Sequence, residues 1–288
     1  MTLEKLYSDP VFTSCHGRSL DLSFPRIMGI LNITPDSFSD GGRFLNQNVA
    51  LRQLEKMLAD GADIIDIGGE STRPGAAAVS VEEELARVIP VIKALRTQSE
   101  VFISVDTSKP EVMREAVAAG ADMINDVRAL READALATVA ALDIPVCLMH
   151  MQGQPRCMQQ QPEYENVLIE VKDFLHERVR ACEQAGIKRE QIAIDPGFGF
   201  GKSLQHNLRL FHQLPELRSL GLPVLVGVSR KSMIAALLDI PVEERLAASV
   251  ALAGLAVWLG AGIIRTHDVR ETRDAVRMCH AVANELAD

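Results

Sequence analysis

A chain of 288 residues with 47% hydrophobic and 24% charged side chains can bury a large core yet stays within the size of one β/α barrel, so a single domain is expected. A formal charge of −9, an isoelectric point near 5.3 and no run of lysine and arginine would repel a phosphate backbone, which argues against nucleic acid as a partner. Five scattered cysteines, Cys15, Cys147, Cys157, Cys182 and Cys279, form no CxxC pair and read as reduced thiols of a cytoplasmic protein.

In chain order, the amino terminus MTLEKLYSDP lacks the basic flank and apolar core of a signal peptide, and residues 1–25 read as an extension and lead-in with no assignable role. The first apolar β-branched run is Ile27 to Asn32, followed by an irregular stretch from Pro35 to Asn46. Ile64 to Gly68 comes next, then irregular Ser71 to Val79 and a helix start at Ser80 with Glu83, the spacing of a capping box. Phe102 to Asp106 precedes a second such pair, Ser108 with Glu111, and Met123 to Asn125 and Val146 to His150 follow. A third irregular stretch, Met151 to Pro162, leads into a helix whose Leu168, Val171, Leu175, Val179 and Cys182 form one apolar stripe at steps of three and four.

Beyond it lie the runs Ile192 to Asp195 and Val224 to Val228. The stretch from Leu246 to Ile264 approaches membrane-spanning length, but Gly260 and Gly262 divide it into a helix and a last strand, Ile263 to Thr266. On that helix Ala251, Leu255, Ala256 and Trp258 wrap more than one face, which points to a contact with a second subunit. Gly61, Gly120, Gly186 and Gly260 each close a helix before the next strand, where a left-handed C-cap is needed. Uniformly apolar strands alternating with helices predict a parallel sheet covered on both faces, and about eight such units make an α/β fold of the (β/α)8 TIM-barrel class over residues 26–288.

What ends each strand carries the chemistry. The tips are Asn32, Glu70 to Arg73, Asp106, Asn125 with Asp126, His150, Asp195, Ser229 to Lys231, and Arg265 with His267, whereas the opposite ends begin with Gly61, Ala62, Ala121 and Pro223. One such Asp alone more often caps a helix than binds a substrate. Together they place a site on the carboxyl face, where barrel enzymes keep theirs. Asn32, Thr72, Arg265 and His267 combine amide, hydroxyl and cationic groups suited to a diphosphate screened by Mg2+. Asp106, Asn125 and Asp195 suit a flat heterocycle rich in N–H donors, since a carboxylate can make a paired, charge-assisted fork with adjacent donors. GFGFGKS, from Gly197 to Ser203, is a near miss of a phosphate-binding loop because Pro196 stands where that motif needs glycine; its glycines are read as letting backbone approach a ligand plane. SRKS, Ser229 to Ser232, sets backbone N–H groups and two cations at the mouth. His150, between Met149 and Met151, reads as a hydrogen-bonded core residue.

The strings NITPDSFSDGG (Asn32 to Gly42), GGESTRPGA (Gly68 to Ala76), SVDTSKP (Ser104 to Pro110) and DPGFGFGK (Asp195 to Lys202), with MHMQG, SRKS and RTHD, closely resemble the dihydropteroate synthases of the pterin-binding family. The resemblance runs from about Ile27 onward. It implies a transferase of folate biosynthesis that condenses a dihydropterin hydroxymethyl diphosphate with 4-aminobenzoate, and a target of sulfonamides. It further implies that Asn32 holds Mg2+ on the diphosphate, with Thr72, Arg265 and His267 as other contacts. Asp106, Asn125, Asp195 and Lys231 would grip the pterin, Met149 would pack on its ring, and Gly227 and Thr266 would count among the substrate contacts. Phe38, Arg73, Pro74, Phe200 and Ser232 would shape the aminobenzoate site. Asp36 and Asp40 would help close the first loop over the reacting centre. From the helix faces described above, the expected assembly is a homodimer, and no membrane partner is expected.

The chemistry expected is a largely dissociative substitution, because the carbon left by diphosphate can spread its charge into the dihydropterin ring and a neutral arylamine needs no strong base. Two other readings remain at this stage: a methyltransferase acting on a methylated folate, for which the diphosphate clamp would have no use, and a catalytically inactive pterin-binding paralogue.

Overall fold

The computed structural model describes residues 11–33, 43–71, 78–153, 158 and 162–285, with backbone only for 43–48. Two short strands, β1 (Val11–Thr13) and β2 (Ser19–Asp21), pair antiparallel as a hairpin. The barrel then runs β3 (Arg26–Asn32), α1 (Arg43–Asp60), β4 (Ile64–Gly68), α2 (Val81–Arg96), β5 (Phe102–Asp106), α3 (Pro110–Ala118), β6 (Met123–Asp126), α4 (Ala135–Leu142) and β7 (Val146–Met149). It continues with α5 (Val167–Gln184), β8 (Ile192–Asp195), α6 (Leu204–His212), β9 (Leu225–Val226), α7 (Ser232–Leu238), α8 (Leu246–Trp258), β10 (Ile263–Thr266) and α9 (Val269–Ala283). The eight parallel strands follow the order β8-β7-β6-β5-β4-β3-β10-β9, and a bridge between Ile194 and Val224 joins the ends. This is the expected (β/α)8 barrel.

The predicted strands fall where the apolar runs are, because a strand buried on both faces must be apolar at every position. The differences are at edges: β6 reaches Asp126, β7 stops at Met149, and only Leu225–Val226 of the run before Ser229 pairs as strand. On α5 the buried stripe is Val167, Val171, Leu175, Val179 and Cys182, with Leu168 only half-buried. The four helix-closing glycines all have positive φ, from +93° at Gly61 to +113° at Gly120. Ser80 caps α2, accepting from the Glu83 backbone N–H at 3.2 Å. The second capping box does not form: Lys109 is the N-cap of α3, and the Ser108 hydroxyl bonds instead to Asp126. Proline at the first helical position already removes one orphan donor, which leaves the hydroxyl free for the neighbouring strand end.

The extension does have a place. Phe12, Leu20 and Leu22 of the hairpin pack with Met28, Ile64, Phe102, Met123, Cys147, Ala193, Leu225 and Ile263, the inward residues at the amino ends of the strands. Phe12 is 0% exposed. Arg18 ties the hairpin down by an ion pair with buried Asp122, 2.7 Å away. The barrel is thus plugged from below, and its interior is open to chemistry only from above.

Candidate active site

Side chains alternate along a strand, so the inward set moves up the barrel two residues at a time. Above the apolar plug this alternation turns Asp66 and Gly68 of β4, Ser104 and Asp106 of β5, Asn125 of β6 and Arg265 of β10 toward the centre. The register sets Asn32, Gly68, Asp106 and Asn125 side by side across four strands. Arg265 spans the middle: its Nε donates to Asp66 Oδ2 at 2.6 Å and its Nη2 to Asp106 Oδ2 at 2.8 Å. Asn125 Nδ2 donates to the same Asp66 oxygen at 3.2 Å. The other oxygen of Asp66 is buried with no hydrogen-bond partner among the described residues.

Burial pushes the Asp106 carboxyl up to about 7 against the pull of Arg265, with Asp66, Glu84 and Asp126 adding repulsion. Burial disfavours the charge of Arg265, but the two carboxylates outweigh it and hold the guanidinium firmly protonated. The sequence reading missed Asp66 because it lies inside the strand IIDIG and not at its tip. The signal was available: a charge in an otherwise apolar parallel strand, on the same face as Gly68.

The second wall is the β8 loop. Asp195 accepts from the Gly197 N–H at 2.7 Å, and burial raises its pKa despite nearby Lys231, Arg265 and Lys202. Lys231 donates to the Phe198 carbonyl at 2.9 Å and stands 4.0 Å over the Phe200 ring; burial pushes its pKa down to about 8. Met149 and Phe200 lie in one small apolar cluster with Val127, Met151 and Met158. The loop glycines do approach something closely, but it is protein. A Cβ on Gly197, at φ +69°, would stand 1.9 Å from the His150 carbonyl oxygen, and one on Gly201, at φ +61°, 2.4 Å from that of Gln152. Only glycine can fill such positions. Lys202 is turned into its own loop, away from the position a phosphate-binding lysine would need.

On the third side, Asn32 ends β3 half-buried, and Gly227 lies against the stem of Arg265. His267 bonds to Ser229: Nδ1 to Oγ at 3.1 Å, and its backbone N–H to the same hydroxyl at 3.2 Å. Two neighbouring side chains have partners of their own. Thr266 lies between inward Arg265 and His267 and therefore points outward, its hydroxyl bonded to Thr272 at 2.9 Å and accepting from the Asp268 N–H, so it offers the mouth backbone alone. Of the two cations of SRKS, Arg230 is exposed and pairs with Asp268 at 3.0 Å, while Lys231 turns toward the β8 loop. Ser232 is exposed at the start of α7. His150 is buried, as expected of a core residue. The candidates Asp36, Phe38, Asp40, Thr72, Arg73 and Pro74 lie outside the described residues.

Glu70 and Lys109 flank the second loop. Lys109 pairs with Glu70 and with buried Glu84, and the other Glu70 oxygen accepts from the Val79 N–H at 3.3 Å.

A family model described as pterin binding enzyme matches residues 28–267. A protein of Haemophilus influenzae named dihydropteroate synthase is 56% identical over 269 residues, 93% of this chain and 98% of that one. Among solved structures, the Yersinia pestis dihydropteroate synthase in a sulfonamide complex superposes with a TM-score of 0.90 at 51% identity, covering 94% of this chain and 98% of that one. The Xanthomonas albilineans dihydropteroate synthase with 4-aminobenzoic acid gives 0.90 at 53% identity, with 96% and 98% covered.

Proposed function

The chain belongs to the family of pterin-binding enzymes, and on that premise we propose that it condenses 7,8-dihydropterin-6-ylmethyl diphosphate with 4-aminobenzoate, giving 7,8-dihydropteroate and diphosphate in folate biosynthesis. At the reacting methylene a C–O bond to the leaving group breaks and a C–N bond to the arylamine forms, and the amine gives up one proton. The observation that carries this reading is the single mouth above the plug, where buried Asp106, Asn125 and Asp195 face Lys231 and Arg265.

Each group then has a task. Asp195 and Asn125 match the donor edge of the pterin, and a buried carboxyl with a raised pKa gains most from N–H partners that favour its charge. Lys231 faces the ring oxygen, Met149 packs on the ring, and Asp106 fixes Arg265 as well as the pterin. Arg265, His267, Asn32 and Thr72 bear the charge of the departing diphosphate, which is where electrostatic catalysis is worth most. Phe200 and Ser232, with Phe38, Arg73 and Pro74, border the arylamine. Asp36 and Asp40 belong to the loop that keeps water from the reacting carbon.

Magnesium is part of the proposal. Among the described residues no three His, Cys, Asp or Glu side chains gather into a resident metal site. What the mouth offers is the amide oxygen of Asn32, 3.5 Å from where a Cβ of Gly68 would stand. One neutral oxygen suits a Mg2+ that keeps several waters and takes its other ligands from a diphosphate. The ion fits as a companion of the substrate held by Asn32, and when bound it supplies charge neutralisation of the leaving group.

We also infer a homodimer. Leu255 and Trp258 of α8 are 53% and 51% exposed, Ala251 is exposed beside them, and Met278 and Val282 of α9 are bare too, whereas Ala256 faces the core. Such a patch on adjacent helices suits a second copy. A clean monomer in sedimentation at micromolar concentration would remove it. Among the described residues no helix is long and apolar enough to cross a membrane, and the free thiols of buried Cys147 and Cys182 support a reducing compartment such as the cytoplasm.

Purified protein given both substrates and Mg2+ should release diphosphate in step with dihydropteroate. Release without 4-aminobenzoate consumption, or no release at all, would refute the assignment.

A further inference from the structure

Two buried titratable groups have no task in this chemistry, Lys202 of the GFGFGKS string and His150 of MHMQG. They meet. Lys202 is 2% exposed and His150 6%, and Lys202 Nζ lies 2.8 Å from His150 Nδ1. The same Nζ donates to the carbonyls of Gly197 at 2.9 Å and Phe200 at 3.1 Å. Its nitrogen thus has three polar partners, which a buried amine needs to be tolerated. Burial, reinforced by the charge of Lys202 and Arg131, pushes the His150 pKa down to about 2, so the ring stays neutral, and burial also lowers Lys202 to about 7; the contact is a hydrogen bond between the amine and the neutral imidazole. Phe174 packs edge-on at 4.9 Å between ring centroids, and the His150 backbone N–H donates to the Asp195 carbonyl at 2.9 Å.

The two carbonyls that Lys202 holds bracket the loop between Asp195 and Phe200. Neighbours hold further polar groups of the loop and the residue after it: Gly199 N–H by Asn207 Oδ1 at 2.8 Å, Phe198 carbonyl by Lys231, and Gly201 carbonyl by the Tyr164 hydroxyl at 2.8 Å. A P-loop lysine would face outward to a phosphate; this one anchors its loop to the end of β7. We propose that Lys202 and His150 form a buried clamp that positions the 195–201 loop, presetting Asp195 for the pterin and Phe200 with Lys231 for the arylamine. Neither residue touches substrate. Both act through the loop, and the inference rests on the function proposed above.

The test uses the full chain and four variants, K202M, K202R, H150N and H150L, with kcat and both KM values from diphosphate release. It adds the Kd of a hydroxymethyl pterin lacking the diphosphate, and hydrogen exchange at the Gly197, Gly199 and Phe200 amides. K202M should raise pterin Kd and both KM values by about tenfold or more, the scale expected from misplacing binding groups by a fraction of an ångström, with a smaller fall in kcat and faster exchange at those amides. H150L should do the same, while H150N, whose amide oxygen can replace Nδ1, should recover most of the loss. A folded K202M with both KM values and Kd within twofold of wild type overturns the clamp. If the lysine variants fail to fold, the histidine pair decides: equal impairment of H150N and H150L overturns it. A wild-type protein that binds no pterin at all fails the functional reading instead, an outcome separate from unchanged binding in K202M.

Discussion

Arg265 serves both stability and binding, because its two ion-pair partners are buried carboxylates. The pair with Asp66 links residues 199 positions apart, and neither acid has water to fall back on. R265M should therefore impair diphosphate handling and also cost about 3–5 kcal/mol of stability, the range for breaking a buried ion pair from one side. A denaturant titration reads the second effect; an unchanged midpoint and slope would show that the carboxylates relax without the cation. Asp195 differs, since its firm partner is a backbone N–H of its own loop. D195A should weaken pterin binding by about 2–5 kcal/mol, and calorimetry with the free pterin measures it. The acids also set a pH dependence. Burial raises Asp195 above its ordinary range and Asp106 to about 7. Pterin N–H groups bind the charged forms, so affinity should rise with pH through the acidic range and on through about 7, levelling off roughly one unit beyond it. Affinity that falls over that interval would mean the donors meet protonated carboxyls.

At the scale of elements, the barrel turns sequence into geometry by two rules. Alternation decides which residues face in, and register decides how high they sit. Asp66, Asp106 and Arg265 all face in at successive steps of the register, Arg265 beside Met28, Asp66 beside Ser104 and Asp106 beside Gly68, and the long arginine side chain spans those steps to join three strands. The loop after β8 follows neither rule. Its shape comes from glycines packed against the carbonyls of residues 150 and 152, so G197A must displace backbone as well as enter a left-handed conformation. A loss of at least about 2 kcal/mol is expected, with pterin affinity falling alongside stability. Unchanged pterin affinity in a folded G197A would show that the loop can move without carrying Asp195 away.

Over the whole molecule the two ends of the barrel have divided the work. The amino end is closed by the hairpin, an apolar layer and the Arg18–Asp122 ion pair, and the carboxyl end holds the buried charges of the site. Phe12 can therefore be cut back with little effect on chemistry: F12A should lose about 3–5 kcal/mol of stability, as core Phe-to-Ala changes do, with KM for both substrates unchanged at a temperature where the protein stays folded. A shift in either KM would mean that the plug transmits strain to the mouth.

Much of this was legible before any coordinates. Strand positions could be read because doubly covered strands are apolar throughout, and the strand ends named the mouth because a parallel barrel gathers all carboxyl ends on one face. Asp106, Asn125, Asp195 and Lys231 emerged that way. Tertiary structure alone decided the rest, since it depends on which distant groups meet. Asp66 became part of the site through Arg265. Thr266 met Thr272, and Arg230 met Asp268. Ser108 gave up a helix cap for Asp126, Lys202 found His150, and residues 11–22 acquired a role as a plug only because eight strand ends left an apolar opening for them to fill. Local patterning determines elements through backbone and solvent, whereas side-chain partners are chosen by proximity in the folded chain.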